Sequence, residues 1–530
     1  MTNTMKRLAD RLMKTPRRLW VVSFVLFFML GGAFSLSTPM GASPDEHAHI
    51  IRAAAVARGQ LGGTEVMVPH RVASIDGNFA ETGVQLPAWY EDLKTINSCY
   101  VFHPERSAGC APGLASSEKQ ITEVTTAAGR YNPAYYLAVG WTSRVLDGVS
   151  GLYLMRLASA AIGAALLASA VVSAAEWHRR SITVLGVLAA ATPMSLFMIG
   201  MVNPSGAEIA AGILVWSAVL PILMSPDPKL LTRRLARLGI GATVLISIRP
   251  LGIIWFLGAV IGGLLLQESG ALRAVLRRRA AWLWTLALGA TSAAALAWTA
   301  LHPDHSVIDT PSDLTTLKAA RWTFDSSLTY IRQMIGYFGW LDTPTPAATL
   351  LIWSTVVMML AMLALCFARV RETVALLGSL VGIIMVPVVA QGIQAPQLGM
   401  IWQGRYLLPF AVGLPIMAAA ICVKRSPVTG VPWRRLVALS AFSLSLANMA
   451  GFVWALRRNT AGTDGSFFLL HAHWSPPGSW LLWIVVYGAA ALLLTLFVMA
   501  DDRSLTPAGS QLGLGRAIGR RGQRKVAPAA

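Results

Sequence analysis

Runs of about twenty consecutive apolar residues recur along this chain, and that fact limits its fold more than any other. Segments 152–174 and 480–500 are apolar on every helical face. A soluble helix would show one apolar stripe and a polar back, whereas a helix crossing the hydrocarbon core needs roughly 20 apolar residues. Composition agrees: 13% of the 530 residues are charged and 55% hydrophobic, against about 25% charged in an average soluble domain. The chain reads as an all-α, multi-spanning integral membrane protein.

The formal net charge of +19 could suggest a nucleic-acid partner, but the basic residues sit in short clusters between apolar runs. That is the positive-inside pattern, and no nucleic-acid motif accompanies it. The pattern predicts twelve spans with both termini cytoplasmic: 20–36, 152–174, 182–200, 206–224, 235–248, 251–266, 281–301, 349–368, 374–390, 406–423, 436–456 and 480–500. Two segments decide the count. Segment 131–146 is short and holds Arg144, so it is read as a helix lying in the interface. Segment 238–266 is long, but a single crossing would place Arg273, Arg277, Arg278 and Arg279 outside, so it is split near Arg249-Pro250. The domain plan is a basic cytoplasmic N-terminus (1–19), a membrane domain (20–500) with outer loops 37–151 and 302–347, and a disordered basic tail (501–530). The start 1–36 also has the look of a signal peptide, although an uncleaved first helix fits its length better.

Cys366 and Cys422 fall inside apolar runs and read as core residues, while Cys99 and Cys110 share the long polar loop and are expected to pair there. Four features of the outer side carry candidate chemistry. The first is Ser43-Pro44-Asp45-Glu46-His47-Ala48-His49. If Pro44 opens a helix, Asp45, His49 and Arg52 share one face, and the acids can accept a proton or hold a divalent cation with His49. A favourable charge at a helix start explains the same acids. The second is Asn132-Pro133-Ala134-Tyr135-Tyr136, where interfacial anchoring by tyrosine is the plainer reading. The third comprises Arg156 and Arg249, either phosphate ligands or snorkelling cations, with Glu208 as a further intramembrane acid. The fourth is loop 302–346, whose apolar residues from Leu314 to Ile335 recur at helical spacing, followed by Gln403-Gly404-Arg405-Tyr406-Leu407-Leu408-Pro409. Arg405 stands where a span begins and is suited to a lipid phosphate. Neither a Lys-Ser/Thr phosphate loop nor a dinucleotide fingerprint occurs, so an activated donor at this face would be lipid-linked.

Taken together, Pro44-Asp45-Glu46 with His49, Asn132-Pro133 with Tyr135-Tyr136, Arg156, Gly336 with Gly339-Trp340-Leu341-Asp342, and the stretch from Gln403 to Pro409 resemble a bacterial integral-membrane family grouped with the GT-C glycosyltransferases. The resemblance extends over residues 20–500. It implies a GT-C-like bundle that takes a sugar from a polyprenyl-phosphate donor and transfers it, with inversion, to a cell-envelope glycan or glycolipid. It further implies Asp45 and Glu46 as catalytic acids, with His49, Arg52, Asn132, Tyr136, Arg156, Arg249, Asp342, Arg405 and Tyr406 as substrate ligands. A divalent cation on Asp45, Glu46 and His49 remains an option. The large C-terminal globular domain of several GT-C enzymes has no counterpart here. The rival readings are a transporter or flippase of a lipid-linked envelope precursor, which would show repeats and broken helices, and a non-catalytic assembly subunit.

Overall fold

The structure, a computed structural model, describes residues 15–72, 75–114, 119–311, 313–427, 431–467 and 472–499. Lys6, Arg7, Arg11, Lys14 and the tail from Asp501 lie outside the described residues. Helix α1 (Pro16–Ser37) starts where Thr15 caps it, its hydroxyl accepting from the Arg18 amide at 3.3 Å, with Pro16 as the first helical residue. A tight turn leads to α2 (Glu46–Val56), which begins after Asp45 and not at Pro44. Asp45 therefore does not share a helical face with His49 and Arg52, contrary to the helix read from Pro44.

The long loop then does something the apolar pattern does not announce. Strands β1 (Thr64–Val72), β2 (Ile75–Pro87) and β3 (Ile121–Thr126) form an antiparallel sheet, with Thr64 opposite Gly83 and Val84 opposite Val124. Short helices α3 (Pro133–Gly140) and α4 (Thr142–Val145) follow. Eight residues rise only about 12 Å, so 131–146 contains no crossing helix.

Helices α5 (Gly148–Ala174), α6 (Arg180–Ala190), α7 (Pro193–Ile199), α8 (Pro204–Met224), α9 (Leu231–Ile248) and α10 (Leu251–Leu265) come next. Helix α8 is the hub: its whole apolar window is buried, as an all-round apolar helix requires. It packs against α5, α9 and α10. After α11 (Ala271–Leu276) and α12 (Arg279–Leu301), strand β4 (Val307–Asp309) joins the sheet on β2, tying the second long loop to the first. The amphipathic stretch from Leu314 to Ile335 is two helices, α13 (Thr316–Asp325) and α14 (Ser327–Gly336), separated at Ser326. A two-residue hairpin pair, β5 (Tyr337–Phe338) and β6 (Thr343–Pro344), precedes α15 (Ala347–Phe367), α16 (Val370–Leu398), α17 (Gly404–Ala411), α18 (Gly413–Arg425), α19 (Val431–Ala461) and α20 (Trp480–Met499).

Each of the twelve expected segments falls on helix among the described residues, but nine helices there are long and apolar enough to cross a membrane, with α17 and α18 counted together as Gly404–Arg425, and ten if α6 and α7 also count as one span. Those two meet at a 69° bend before Pro193. Helix α9 carries Arg233, Arg234 and Arg237 in its first two turns, and α10 has 15 residues. They part at Arg249-Pro250, where proline supplies no amide hydrogen. Cys422 is buried, but Cys366 is exposed on the bundle's flank rather than in its core. Cys99 and Cys110 form a disulfide, their Cα atoms 6.2 Å apart.

Candidate functional site

The site grows from the turn between α1 and α2. Asp45 adopts a left-handed conformation (φ 59°, ψ 6°), which few L-residues tolerate but Asp does better than most. Such strain persists only where surrounding contacts fix the backbone, and here they do. Asn97 and Trp340 donate side-chain N–H bonds to the Gly41 carbonyl at 2.6 and 2.9 Å, and Asn203 donates to the Pro44 carbonyl at 3.1 Å. The His47 ring stacks on Trp340, 14° from parallel. The clamped turn aims the Asp45 carboxylate at Arg405, whose Nη2 donates to Oδ2 at 2.6 Å. The Asp45 side chain is 48% exposed while Arg405 is 1% exposed. A buried cation thus holds an acid that still faces solvent.

Glu46, its neighbour, is placed quite differently. It is fully buried in an ion pair with Arg156, whose Nε and Nη2 donate to its two oxygens at 2.7 and 2.6 Å. The Val202 amide donates to Oε1 at 3.1 Å. Arg156 also donates to the carbonyls of Ser35, Thr38 and Pro39. All five of its N–H groups are therefore used, which corrects the expectation that Arg156 serves a phosphate. Both Glu46 oxygens are likewise engaged, in a side chain closed off from solvent.

Arg405 is the opposite case. Beyond Asp45, its Nε and Nη1 are buried and have no partner. Its position depends on Gly404, where a Cβ would lie 2.3 Å from the Tyr330 carbonyl oxygen, so only glycine lets α17 start against α14. The Gly404 amide donates to Gln333 Oε1 at 2.7 Å. The guanidinium lies 5.4 Å from the centre of the Tyr406 ring, and Arg249 lies 5.2 Å from the same ring and 5.4 Å from that of Tyr131. Arg249 pairs with Glu208 at 3.4 Å. Nearby, His49 Nδ1 meets the Tyr136 hydroxyl at 2.8 Å, and Arg52, fully buried 5.9 Å from the Tyr136 ring centre, donates to the carbonyls of Leu61 and Tyr131. Arg52 Nε and Nη1 are unpartnered. Asp45, His49, Arg52, Tyr136, Arg249, Arg405 and Tyr406 thus form one cluster, in which buried cations outnumber accessible acids.

Electrostatics sets the working forms. Burial pushes the Asp45 carboxyl up, but the Arg405 guanidinium through its charge and hydrogen bond, with the nearby His49 and His47, holds the group below its ordinary 3.8. Burial drives His49 down to about 3, with Arg249 and Arg405 adding to the effect, so its imidazole is neutral. Asp45 then stays charged as pH falls to its depressed value and is neutralised only below it. If the site is catalytic, so that kcat/KM reports its free-form groups, the expected pH profile is flat through neutrality with its acid limb below the ordinary carboxyl value of 3.8. An inflection near pH 6.5 that disappears in His49→Gln would reject the neutral imidazole.

Two expected ligands also serve the scaffold, Asn132 through its oxygen alone. Asn132 Oδ1 accepts from the Ala134 amide at 3.0 Å and caps α3. Asp342 is buried in an ion pair with Arg458 at 2.9 Å and accepts from the Phe102 amide at 3.2 Å. Arg458 also donates to the carbonyls of Tyr100 and Arg106, so this pair anchors the disulfide loop that holds the acid turn. Arg458, Asn97, His47 and Tyr131 escaped the sequence reading. Arg458 gave no signal, because it stands in the last turn of α19 and beyond the expected span 436–456, where a basic residue is ordinary. Among the described residues no group of three His, Cys, Asp or Glu is gathered as a metal ion would need.

The stacked apolar helices and polar cluster at their loop-bearing end define a multi-pass integral membrane protein with a charged site. Residues 28–414 match the family described as predicted membrane protein, DUF2142, and the chain belongs to that family. No curated protein is a significant match. Among solved structures the chain is similar to ArnT from Cupriavidus metallidurans, in the apo state (TM-score 0.43) and bound to undecaprenyl phosphate (TM-score 0.40). Identity is 13% in both, covering 92% of this chain and 77% of the other. Scores of this size leave the site's chemistry to be argued from this chain itself.

Proposed function

We propose that the protein is a GT-C-type glycosyltransferase that moves a sugar from a polyprenyl-phosphate donor to a hydroxyl of a cell-envelope acceptor at the extracytoplasmic face, with inversion. The observation that carries this reading is Arg405: a buried guanidinium that holds an accessible carboxylate with one nitrogen and offers two unpartnered donors beside it. A phosphate is the natural ligand for that fork. In this reading Asp45 takes the proton of the acceptor hydroxyl as its oxygen attacks the anomeric carbon. The anomeric carbon–oxygen bond breaks, and polyprenyl phosphate leaves with the bonding electrons, its charge met by Arg405 and Arg249. Phosphate bound to the shared guanidinium weakens its hold on Asp45, so basicity rises when the proton must move. Glu46 fixes Arg156 and the turn; His49 and Tyr136 shape the wall.

An apolar cavity of about 310 Å³ lies along the same helix, lined by Leu408 and Val412 and by Ile331, Met334 and Ile335 of α14. Leu408 is one turn from Arg405, so an isoprenoid chain there would leave its phosphate at the guanidinium. The proposed setting is the plasma membrane with both termini cytoplasmic.

Arg405→Gln in lipid nanodiscs is expected to lower release of polyprenyl phosphate roughly 10²–10³-fold, the range for losing a preorganised charge donor, with Arg405→Lys intermediate. Full turnover by Arg405→Gln would remove the basis of the proposal. The 69° bend between α6 and α7 is the feature favouring transport of a lipid-linked precursor. Lipid flux in proteoliposomes that survives Asp45→Asn would select that second reading.

A further inference from the structure

A second cavity, of about 250 Å³, opens beside the charged cluster. It holds about eight waters at liquid density, the bulk of a single sugar ring. Three separate segments wall it: the end of the first long loop, the α9–α10 break and the far end of α12. The residues that matter are Arg130, Tyr131, Asn132, Arg249, Trp298 and Asp304. Two of them, Tyr131 and Arg249, also border the Asp45–Arg405 cluster, since Arg249 lies against both Tyr131 and Tyr406. The cavity and the acid site are neighbours across one guanidinium.

We propose that this cavity binds one pyranose or furanose ring. Trp298 is a fixed plate. Its Nε1 donates to the Arg130 carbonyl at 2.9 Å, and its ring stacks on His302, centres 4.0 Å apart and 17° from parallel. His302 is held in turn by its Nδ1 at 2.8 Å from the Trp298 carbonyl oxygen. A rigid aromatic wall suits the C–H face of a sugar. The polar groups are mixed in kind. Asp304 accepts from the Ser306 amide at 3.0 Å and pairs with Arg130, while Asn132 keeps its amide N–H groups free of the cap its oxygen makes. Donors and acceptors side by side match hydroxyl groups, which need both.

Other ligand classes fit less well. Asp304 opposes an anion such as a nucleotide. Arg130 and Arg249 oppose a cation. An apolar chain would take water from the Arg130–Asp304 pair and leave the Asn132 amide N–H groups facing hydrocarbon. A neutral polyhydroxyl ring meets none of these penalties. The inference rests on the glycosyltransferase reading only for whose sugar it is, the donor's or the acceptor's.

The test uses the full chain in nanodiscs, with methyl glycosides of glucose, mannose, galactose and arabinose followed by saturation-transfer NMR. Undecaprenyl phosphate, bare or carrying mannose or glucose, is followed by thermophoresis. Trp298→Ala and Asp304→Asn are expected to weaken binding of at least one sugar probe about tenfold, the scale of one lost hydrogen bond to a charged group or one lost aromatic wall. Bare undecaprenyl phosphate should bind unchanged, and Trp298→Phe should restore most of the loss. Weakening confined to the lipid-linked sugars assigns the ring to the donor; weakening confined to the methyl glycosides assigns it to the acceptor. Wild-type protein that binds bare undecaprenyl phosphate but no sugar probe overturns the inference and spares the lipid-phosphate reading. Sugar affinities unchanged in both variants also overturn it. Glycoside binding without any lipid-phosphate binding would uphold the cavity and reject the proposed enzyme.

Discussion

Asp45→Asn is expected to lower the rate of sugar transfer from a polyprenyl-phosphate donor by roughly 10²–10⁴-fold, the contribution of a positioned general base, while the protein stays folded. The substitution is matched to the site. Asn tolerates the left-handed backbone that Asp45 adopts at least as well, and the amide oxygen can still accept from Arg405. Nearly half of the side chain is exposed, so the lost charge is not a buried one. What disappears is the capacity to take a proton. The same change removes a negative charge beside the proposed phosphate ligand, so donor binding should hold or tighten. The signature is therefore a collapse of kcat without a rise in KM, which separates a missing base from a damaged site. Release of polyprenyl phosphate at the wild-type rate by Asp45→Asn would sink the base assignment, whatever happens to affinity.

The parts of this arrangement that could be read from the chain were those written in periodicity and charge. Apolar length gave the helices, and Arg249-Pro250 gave the break between α9 and α10, because proline removes a backbone donor whatever surrounds it. Tertiary pairing was not legible. Asp45 and Glu46 are adjacent and of one type, yet one is half exposed and the other is locked to Arg156, 110 positions away. No local rule separates them. Arg405 was preferred to Arg156 for phosphate from its place at the start of a span, but what separates them is their nitrogens: all three engaged in Arg156, two idle in Arg405. The sheet was hidden for a similar reason. Its strands pair residues from 64 to 309, and β2 carries Gly77, Asn78 and Gly83, which weaken any strand signal read from propensity alone.

Arg156→Ala is expected to destabilise the protein by about 3–5 kcal/mol, the usual consequence of leaving one member of a buried ion pair alone. The physical case is unusually complete. Both side chains are fully buried, so neither Glu46 nor water can compensate, and the carbonyls of Ser35, Thr38 and Pro39 lose their donor together. Those carbonyls belong to the end of α1 and the turn that presents Asp45, so fold and site are joined at this guanidinium. A double replacement, Arg156→Met with Glu46→Met, removes both charges and should recover much of the loss in thermal unfolding in detergent. It should not recover transfer, because the orphaned carbonyls no longer hold the turn in its left-handed form. Stability and activity would then part in the double variant while falling together in the single one. A single variant that unfolds within about 1 kcal/mol of wild type would show that the pair is not what holds the turn. A double variant with full turnover would show that the turn keeps its shape through Asn97, Trp340 and Asn203 alone.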